Sequence, residues 1–535
     1  MENGWNKVEF RSLWEIWQDE TCVPIRLRQE LDDVELFDEW EEFALFACHY
    51  FLLVAGRNIR SDSLYFDDTI LPYDVDRKTA DYCFPSADGS ITKISTDQER
   101  GYRRFAALMD RGDIVAAHGG IGKQKRETSM DVYKSINSKH ADIKVPPLPD
   151  GIAFHTISRL NCSQFLLVGG RTSPDKASSN TWHYDGRVWN LKSLLIPGRF
   201  RHCAVAVTSE HGFAEAINPK NEGVLVFGGR TGEGLILDEW ALWHSTSGWR
   251  KLKVKSQDDT FCLPRFGASM FRDIDSNSGW LFGGIGEHRL VHSDIWRWEL
   301  DSRHEIINLI NHTCDSADLG LNGLARFGAS IAHAHETHQF AVIAGGIGRQ
   351  CLPDESTNIL VINFDGNNIG EKKLRPICVK LRAANEFPFM IGACIAAPSI
   401  NKVLVIGGGA VCFSFGTYWN KSCVINLDVE DVVDENWHLS SSNVSIDQQK
   451  VLPNANDTFE VFEAGNIGEA ATKYLKTVCR LPVNGEEDFL RIIASNKPVI
   501  IEKSDIGRCV EKWSTSYLKE AIGAERMVQP RTLSL

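Results

Sequence analysis

The stretch Val224-Leu225-Val226-Phe227-Gly228-Gly229 is a short apolar run that ends in a glycine pair. Four consecutive apolar residues fit a buried β-strand. The glycines let the chain leave that strand with positive φ and with close approach of another backbone. A single run of this kind carries little information, because glycine pairs also occur by chance.

Five further copies of the run give it weight. The first glycines of successive pairs are about 50, 59, 55, 62 and 62 residues apart, near the roughly 50-residue period of a kelch blade. The chain is therefore predicted to be mainly β, with a kelch-type β-propeller of six blades over residues 95–440. Residues 61–94 would be a connector or a seventh, degenerate blade, and a β-sandwich with chance glycine pairs is the alternative fold. The other copies are Val115–Gly120, Leu166–Gly170, Trp280–Gly284, Val342–Gly346 and Leu404–Gly408.

Two other marks keep register with the glycine pairs. A short segment that contains an arginine, called the opener below, precedes the predicted first strand of four blades. Tryptophans follow most of the glycine pairs. Large aromatic side chains of this kind are expected to fill the space between neighbouring blades. These tryptophans are Trp182, Trp189, Trp240, Trp249, Trp296, Trp298, Trp419 and Trp437.

Composition excludes several classes of protein. The chain has 535 residues and a formal net charge of -13, which argues against nucleic-acid binding through gross charge but not through a local basic patch. Apolar runs stay far below the roughly 20 residues of a membrane helix, so no membrane association is expected. The 14 cysteines form no C-x-x-C pair, which favours reduced, mostly buried thiols in a cytoplasmic protein over zinc or disulfide frameworks.

Residues before the repeats have a different pattern. Residues 31–43 are predicted to form an acidic helix, and residues 44–55 a buried strand. The carboxylates of that helix are interpreted as a solvated face and not as paired catalytic groups. They are Asp38, Glu39, Glu41 and Glu42.

The run Glu35–Ala55 resembles the C-terminal end of the leucine carboxyl methyltransferase fold, an α/β class that depends on S-adenosylmethionine. A kelch propeller directly after such an end is similar to the tRNA wybutosine-synthesizing protein 4 family, also called the leucine carboxyl methyltransferase 2 family. Phe489–Ile493 and Lys497–Glu502 resemble the opening of that family's JmjC-type cupin. The resemblance divides the chain into a methyltransferase remnant (1–60), the propeller, a linker (441–480) and the start of a cupin (481–535).

That resemblance implies carboxyl methylation and methoxycarbonylation of the hypermodified guanosine of phenylalanine tRNA, with S-adenosylmethionine as cofactor and tRNA as partner. No G-x-G-x-x-G precedes residue 60, and the last histidine, His438, lies before the cupin segment. No catalytic, cofactor-binding or metal-binding residue of the family is therefore carried over. The chain is expected to be the middle section of a larger enzyme that does not itself bind the cofactor productively. The alternative is a non-catalytic propeller scaffold that binds tRNA or a protein partner at one face.

Histidines are the first candidates for chemistry outside the resemblance. His118, His155 and His202 lie beside or within predicted strands, and they are interpreted as packed or hydrogen-bonded propeller residues. His333-x-His335-x-x-His338 has a spacing suggestive of metal. Its position between two strands places it on a hairpin turn, where solvent-exposed histidines are favoured over a metal site.

Arginines are the better candidates for binding. Arg104, Arg199, Arg265 and Arg326 are assigned to one repeat position in the openers. Cyclic repetition would carry them to one end of the propeller, near its axis. Resemblance to kelch propellers that bind acidic ligands implies that such arginines line that face, where guanidinium groups would bind phosphate or carboxylate in bidentate fashion. The alternative, that they brace neighbouring blade loops, stays open at this point.

Overall fold

A computed structural model gives the fold of the chain, which forms two compact units. One unit comprises Met1–Val8, Val54–Ser63 and Trp437–Ser534, and the other comprises Glu9–Leu53, Leu64–Asn436 and Leu535. The structure describes residues 7–34, 38–56, 86–93, 102–111, 114–134, 146–148, 150–161, 163–208, 223–257, 260–273, 276–312, 324, 326–333, 340–348, 359–365, 373–381, 388–399, 401–412, 416–428, 479–482 and 499–502.

Short helices dominate the N-terminal segment. Ser12 caps the first of them through a capping box: its Oγ accepts from the Glu15 N–H at 3.1 Å, and the Glu15 carboxylate accepts from the Ser12 N–H at 2.7 Å. Strands β1 and β2 pair with each other. In chain order the elements are β1 Lys7–Ser12, α1 Leu13–Gln18, α2 Ile25–Val34, α3 Trp40–Ala47 and β2 Phe51–Gly56.

Six groups of antiparallel strands form the blades, and a strand from before the repeats, β3 Ser86–Lys93, belongs to the last of them. Parallel pairing of β3 with the outer strand of blade 5 joins blades 5 and 6 into one sheet. The strands of each blade are given from the inner strand outward. Blade 1 is β4 Ala107–Asp110, β5 Ile114–His118 and β6 Met130–Lys134. Blade 2 is β7 Thr156–Arg159, β8 Phe165–Val168, β11 Thr181–Tyr184 and β12 Trp189–Leu191. Blade 3 is β13 Cys203–Val207, β14 Gly223–Phe227, β15 Trp240–His244 and β16 Gly248–Lys251. Blade 4 is β18 Ser269–Arg272, β19 Ser278–Phe282, β20 Ile295–Asp301 and β21 Ile306–Asn311. Blade 5 is β22 Ser330–His333, β23 Phe340–Ala344, β24 Ile359–Asp365 and β25 Lys373–Leu381. Blade 6 is β26 Ile391–Ser399, β27 Lys402–Cys412, β29 Cys423–Asp428 and β3. The remaining strands are β9 Arg171–Ser173 paired with β10 Lys176–Ala177, β17 Lys253–Ser256 beside β21, β28 Gly416–Trp419 beside β27, and β30 Cys479–Pro482 paired with β31 Val499–Glu502.

Closure of the ring settles the blade number at six. The inner strands contact one another in the cyclic order β4, β7, β13, β18, β22, β26 and back to β4. Strand β3 pairs antiparallel with β29 and completes blade 6, so the end of the ring is held by chain from before blade 1. Residues 86–93, within the range predicted as a connector or a seventh blade, are therefore an outer strand of blade 6.

The glycine pairs are the joints between blades. Gly228 and Gly229 have φ of 66° and 98°, as the sequence predicts. A Cβ on Gly228 would lie 2.4 Å from the carbonyl oxygen of Arg265 at the start of the next blade. The Gly229 N–H donates to that same oxygen at 2.9 Å. At the closing joint, the Gly408 N–H donates to the carbonyl of Arg103 at 2.9 Å. Glycine is needed here because the neighbouring backbone occupies the space of a side chain.

Tryptophans pack between blades as predicted. Trp240 of blade 3 and Trp296 and Trp298 of blade 4 are buried in one apolar cluster with Phe227 and Leu281. Trp437 lies outside the described residues. Large apolar surfaces removed from water in this way are the main stabilising contribution to such an interface.

Two predictions for the N-terminal segment are wrong. The range 31–43 does not form one helix, since parts of α2 and α3 fall within it, and α3 continues to Ala47 where a strand was expected. Trp40, Ala44 and Ala47 recur at helical spacing, which buries them on one side of α3. In β2, the first residue, Phe51, is 67% exposed, so the predicted buried strand is exposed at this end.

Candidate functional site

Six residues form a belt of backbone around the propeller axis, one just before each inner strand of blades 1 to 5 and one at the second residue of β26. They are Phe105, Phe154, Arg201, Gly267, Gly328 and Gly392, and all have φ between 54° and 69°. Five hydrogen bonds of 2.7–3.0 Å link successive members, each N–H donating to the carbonyl of the preceding blade's residue; the Phe105 N–H donates to Gly392. The left-handed conformation turns each backbone so that it can bond to both neighbours. The belt therefore places these six positions at one end of the axis.

The predicted arginine ring is buried next to this belt. Arg199, Arg265 and Arg326 lie two residues before belt members, and each donates through Nη1 to the carbonyl of its own blade's first paired glycine, at 3.4, 3.1 and 2.8 Å. Arg265 also forms a bidentate pair with Asp294, and Arg199 pairs with Glu239 at 2.7 Å. These contacts lie within single blades. Anion binding by the ring and bracing of neighbouring blade loops both stay predictions.

Arg104 does not occupy the position of the other three. Its neighbour Arg103 does: Arg103 donates to Gly119 at 2.7 Å and pairs with Asp131, in the same pattern. Arg104 comes directly before the belt, where blades 4 and 5 have Phe266 and Phe327. From that position its guanidinium pairs with Glu42. The sequence alone does not show which of the adjacent residues Arg103 and Arg104 occupies the repeat position of the other three arginines.

Helix α3 and Asp38, two residues before it, bring three carboxylates to three blades. Arg201 of blade 3 forms a bidentate pair with Glu41 at 2.6 and 3.0 Å, and its Nε donates to Asp38 at 3.0 Å. Arg171 of blade 2 also donates to Asp38, at 2.6 Å, and Arg104 of blade 1 pairs with Glu42. The prediction that these carboxylates form a solvated face is wrong, because Asp38, Glu41 and Glu42 are only 1–6% exposed.

The electrostatics of this cluster follow from burial and pairing. Burial raises the pKa of Glu41 above its ordinary value, although Arg201 acts in the opposite direction. Burial alone would lower the pKa of Arg201, but the Asp38 and Glu41 carboxylates raise it above the usual arginine range. Arg201 also lies 4.3 Å from the ring centre of Phe154 and 5.0 Å from that of Phe105, so two aromatic faces add to its stabilisation. Three arginines thus bind three carboxylates of the chain itself.

Apolar contacts hold the N-terminal helices to the other blades. Trp14 and Trp40 share a buried cluster with Phe266, Ile285 and Phe327. The Trp14 Nε1–H also donates to the carbonyl of Gly348 at 3.0 Å. The end of the axis that was predicted to bind an acidic ligand is therefore covered by the N-terminal segment.

A cavity of about 170 Å³ remains on the axis beside this cover. Glu41, Arg201, His155 and His202 line it together with belt glycines and small residues that follow the belt. Its charged groups are already paired with each other, so the cavity offers no free cation to a phosphate or carboxylate.

Comparison with known proteins identifies the family of this arrangement. A family model for the β-propeller of tRNA wybutosine-synthesizing protein 4 matches residues 149–422, just over half of the chain. The chain belongs to the tRNA wybutosine-synthesizing protein 4 family. Curated relatives of that name are 33% identical in Aspergillus fumigatus, over 98% of this chain and 48% of the relative, and 34% identical in Emericella nidulans, over 98% and 50%. The relative in Saccharomyces cerevisiae is 26% identical over 78% of this chain and 56% of its own length.

The chain spans about half the length of the first of these relatives. The family match covers blades 2 to 5 and the strands β26 and β27 of blade 6. The Aspergillus fumigatus relative, aligned over 98% of the chain, also extends over the N-terminal segment that covers the axis. The match therefore shows the family and the propeller, and the activity of a whole wybutosine-synthesizing protein 4 is a separate question.

S-adenosylmethionine, which the family resemblance implies, does not fit the residues that the structure describes. The glycine-rich turns in this part of the chain are the joints of the wybutosine-family propeller, and a Cβ at Gly169, Gly228 or Gly407 would meet a backbone oxygen at 2.2–2.4 Å. These turns are filled by the next blade and leave no cradle for a cofactor. No step of methyl transfer is therefore assigned to them.

Histidines and cysteines of the propeller are packed. His118 and His155 are 3.0 Å apart through ring nitrogens, and His202 contacts the Thr156 hydroxyl at 2.8 Å. Burial lowers the pKa of His118 and of His202 to about 3. The prediction of packed or hydrogen-bonded histidines is confirmed. Burial also raises the pKa of the Cys203 thiol to about 12, and that of Cys262 and Cys394 likewise, which leaves these thiols unreactive.

Metal and membrane sites are not found among the described residues. No group of three or more histidine, cysteine or acidic side chains in this part of the chain could hold a metal ion. His333 lies at the end of β22, and His335 and His338 lie outside the described residues. None of the helices described is long and apolar enough to cross a membrane.

Proposed function

We propose that this protein acts in wybutosine synthesis. The proposed activity is S-adenosylmethionine-dependent carboxyl methylation and methoxycarbonylation of the hypermodified guanosine of phenylalanine tRNA, in the cytoplasm. Support comes from the family match and from the name that the curated relatives share. The proposed substrate and partner is tRNA.

Within that activity, the propeller is proposed to hold the N-terminal helices in a fixed position. The observation that carries this part is the set of buried ion pairs from α3 to blades 1, 2 and 3. Charged hydrogen bonds with little solvent exposure depend strongly on geometry, so they fix both the position and the rotation of a helix. Residues that follow or precede α3 would then be presented to the substrate in one orientation.

A second candidate is a non-catalytic scaffold that binds tRNA or a protein partner at a propeller face. The observation that favours it is that the described residues do not fit S-adenosylmethionine. In this case the chain would bind the substrate and leave methyl transfer to another polypeptide.

Complementation separates the two candidates. The chain would be expressed in a Saccharomyces cerevisiae strain that lacks its wybutosine-synthesizing protein 4, and phenylalanine tRNA would be digested and its nucleosides measured by mass spectrometry. Restored wybutosine supports the enzyme. Accumulated carboxylate precursor together with tRNA bound to the purified chain supports the scaffold. If the chain neither restores wybutosine nor binds tRNA, both candidates are contradicted. The yeast protein expressed from the same vector is the positive control.

A further inference from the structure

Blade 6 carries a longer hairpin after its glycine pair than the other blades show among the described residues. Its second strand, β27, has 11 residues, whereas the second strands of blades 1 to 5 have four or five. The extra length begins after the glycine pair and pairs with β28. In blades 1 to 4 the same place holds a short turn closed by a single bridge or by the two short strands β9 and β10.

Aromatic side chains lie on this hairpin and next to it. Tyr418 is 51% exposed and Phe389 is 42% exposed, and their ring centres are 5.4 Å apart. Consecutive strand residues point to opposite faces, so Trp419 is directed away from Tyr418. Trp419 packs against Tyr102, with ring centres 6.0 Å apart. Trp419 therefore anchors the hairpin while Tyr418 and Phe389 are left displayed.

A buried amide holds the displayed pair in place. Asn420 is 4% exposed, and its Oδ1 accepts from the Phe389 N–H at 3.0 Å. Its Nδ2 donates to the carbonyl of Gly407 at 3.0 Å. Phe389 is thereby tied to the base of the hairpin that carries Tyr418. An exposed aromatic pair that is fixed before binding loses little conformational entropy when a ligand stacks on it.

Cations lie beside the aromatic groups. The Lys123 Nζ is 3.7 Å from the ring centre of Tyr102, which contacts Trp419. Lys125 and Lys421 are exposed, the latter two residues after Trp419. Arg104, Arg171 and Arg201 are buried and paired with Glu42, Asp38 and Glu41, whereas Lys125 and Lys421 are exposed.

Exposed aromatic rings next to lysines are the combination that recognises single-stranded RNA, because unpaired bases stack on the rings while the ammonium groups contact phosphates. We propose that Tyr418 and Phe389, with Lys421, form a platform that binds unpaired nucleotides of the RNA substrate. The proposal rests on the proposed function, since it takes RNA as the ligand. It gives that function a contact surface at blade 6.

Binding of two RNA probes to the full chain tests the platform. The probes are a short stem-loop with an unpaired loop and a fully paired duplex of equal length, and affinity is measured by fluorescence anisotropy. For the double variant Tyr418→Ala, Phe389→Ala we expect roughly ten- to a hundredfold weaker binding of the stem-loop and little change for the duplex. Tyr418→Leu, which keeps apolar bulk without an aromatic face, should also weaken stem-loop binding. Phe261→Ala, at an aromatic side chain 62% exposed elsewhere on the propeller, should leave it unchanged.

The outcomes distinguish failure of the platform from failure of the proposed function. If the unaltered chain binds neither the stem-loop nor phenylalanine tRNA, RNA binding itself is contradicted, and the platform with it. If it binds the stem-loop and the double variant binds equally well, only the platform is overturned. Equal weakening by Phe261→Ala would also overturn it, since the effect would then not belong to this surface. Thermal unfolding of each variant shows that the fold is intact.

Discussion

Blades 1 to 3 and blades 4 to 6 use the same belt position in different ways. Blades 4 to 6 have glycine there, for which positive φ is easy. Blades 1 to 3 have Phe105, Phe154 and Arg201 at φ of 55°, 57° and 54°. A residue with a Cβ loses about 1–2 kcal/mol in this conformation, so one half of the ring carries backbone strain that the other half avoids.

The strained half is the half whose arginines pair with Asp38, Glu41 and Glu42. The Arg201 guanidinium lies beside the rings of Phe105 and Phe154 and reaches Asp38 and Glu41. The glycine half contributes space instead, since a Cβ on Gly328 would lie 2.6 Å from a Glu41 oxygen. The blades with a strained residue at the belt position are therefore the blades whose arginines pair with carboxylates of the N-terminal segment.

Removal of Arg201 should have the largest effect on this division. We expect Arg201→Ala to lower the free energy of unfolding by about 3–5 kcal/mol, because Glu41 would remain buried without its cation and Asp38 would lose one of two. The measurement is urea unfolding at pH 7, followed by tryptophan fluorescence.

The control is Arg26→Ala, whose ion pair with Glu30 lies at the surface with the arginine side chain 88% exposed. Exposed pairs contribute under about 1 kcal/mol. Equal losses for the two variants would show that α3 is not held by the arginines of blades 1 to 3.

The sequence predicts the features that depend on residues close together in the chain, and it misses those that depend on distant ones. The glycine joints and six blades follow from a run of six residues that repeats, and the family resemblance follows from one N-terminal segment next to those repeats. The position of β3 does not, because its partner β29 comes more than 300 residues later. The carboxylates of α3 look like a solvated face in isolation; Asp38 is buried by Arg201, 163 residues away.

Other parts of the candidate site were missed for different reasons. Arg103 and Arg104 both precede Phe105, so the opener alone fits either register. A signal for Arg201 was available: it stands where three other openers have glycine, a substitution that implies strain and therefore a reason for it. The exposed aromatic pair of blade 6 could not be inferred, because a sequence does not show which aromatic side chains are left uncovered.

The belt glycines of blades 4 to 6 should tolerate a side chain poorly because neighbouring atoms occupy the space that it would need. We expect Gly328→Ala to lower the free energy of unfolding by about 2–3 kcal/mol, combining left-handed strain with the contact between the new Cβ and Glu41. Gly416→Ala is the matched control, since Gly416 has φ of 88° and no atom within 4 Å of the added Cβ. It should cost about 1 kcal/mol. Thermal unfolding of both variants gives the difference, and if the control costs as much as Gly328→Ala, the close approach of Glu41 has no energetic consequence.

Low pH should lower the stability of the fold on the side of the ring that contains His155 and His202. At the positions of His155 and His202, blades 4 to 6 have Ala268, Ala329 and Ala393. Burial lowers the pKa of His202 from 6.5 to about 3. The folded chain then keeps this imidazole neutral while the unfolded chain protonates it below pH 6.5, so stability is lost as the pH falls.

Between pH 6.5 and pH 5 this one histidine should remove about 2 kcal/mol from the free energy of unfolding. His202→Gln should therefore lose less stability than the unaltered chain between pH 7 and pH 5, by about that amount. Glu41 acts in the opposite direction, because burial raises its pKa and protonation relieves its charge as the pH falls. Its contribution cancels in the comparison of variant and unaltered chain, since both retain Glu41. Urea unfolding at both pH values gives the comparison, and equal losses of stability in His202→Gln and the unaltered chain would mean that acid sensitivity does not reside at His202.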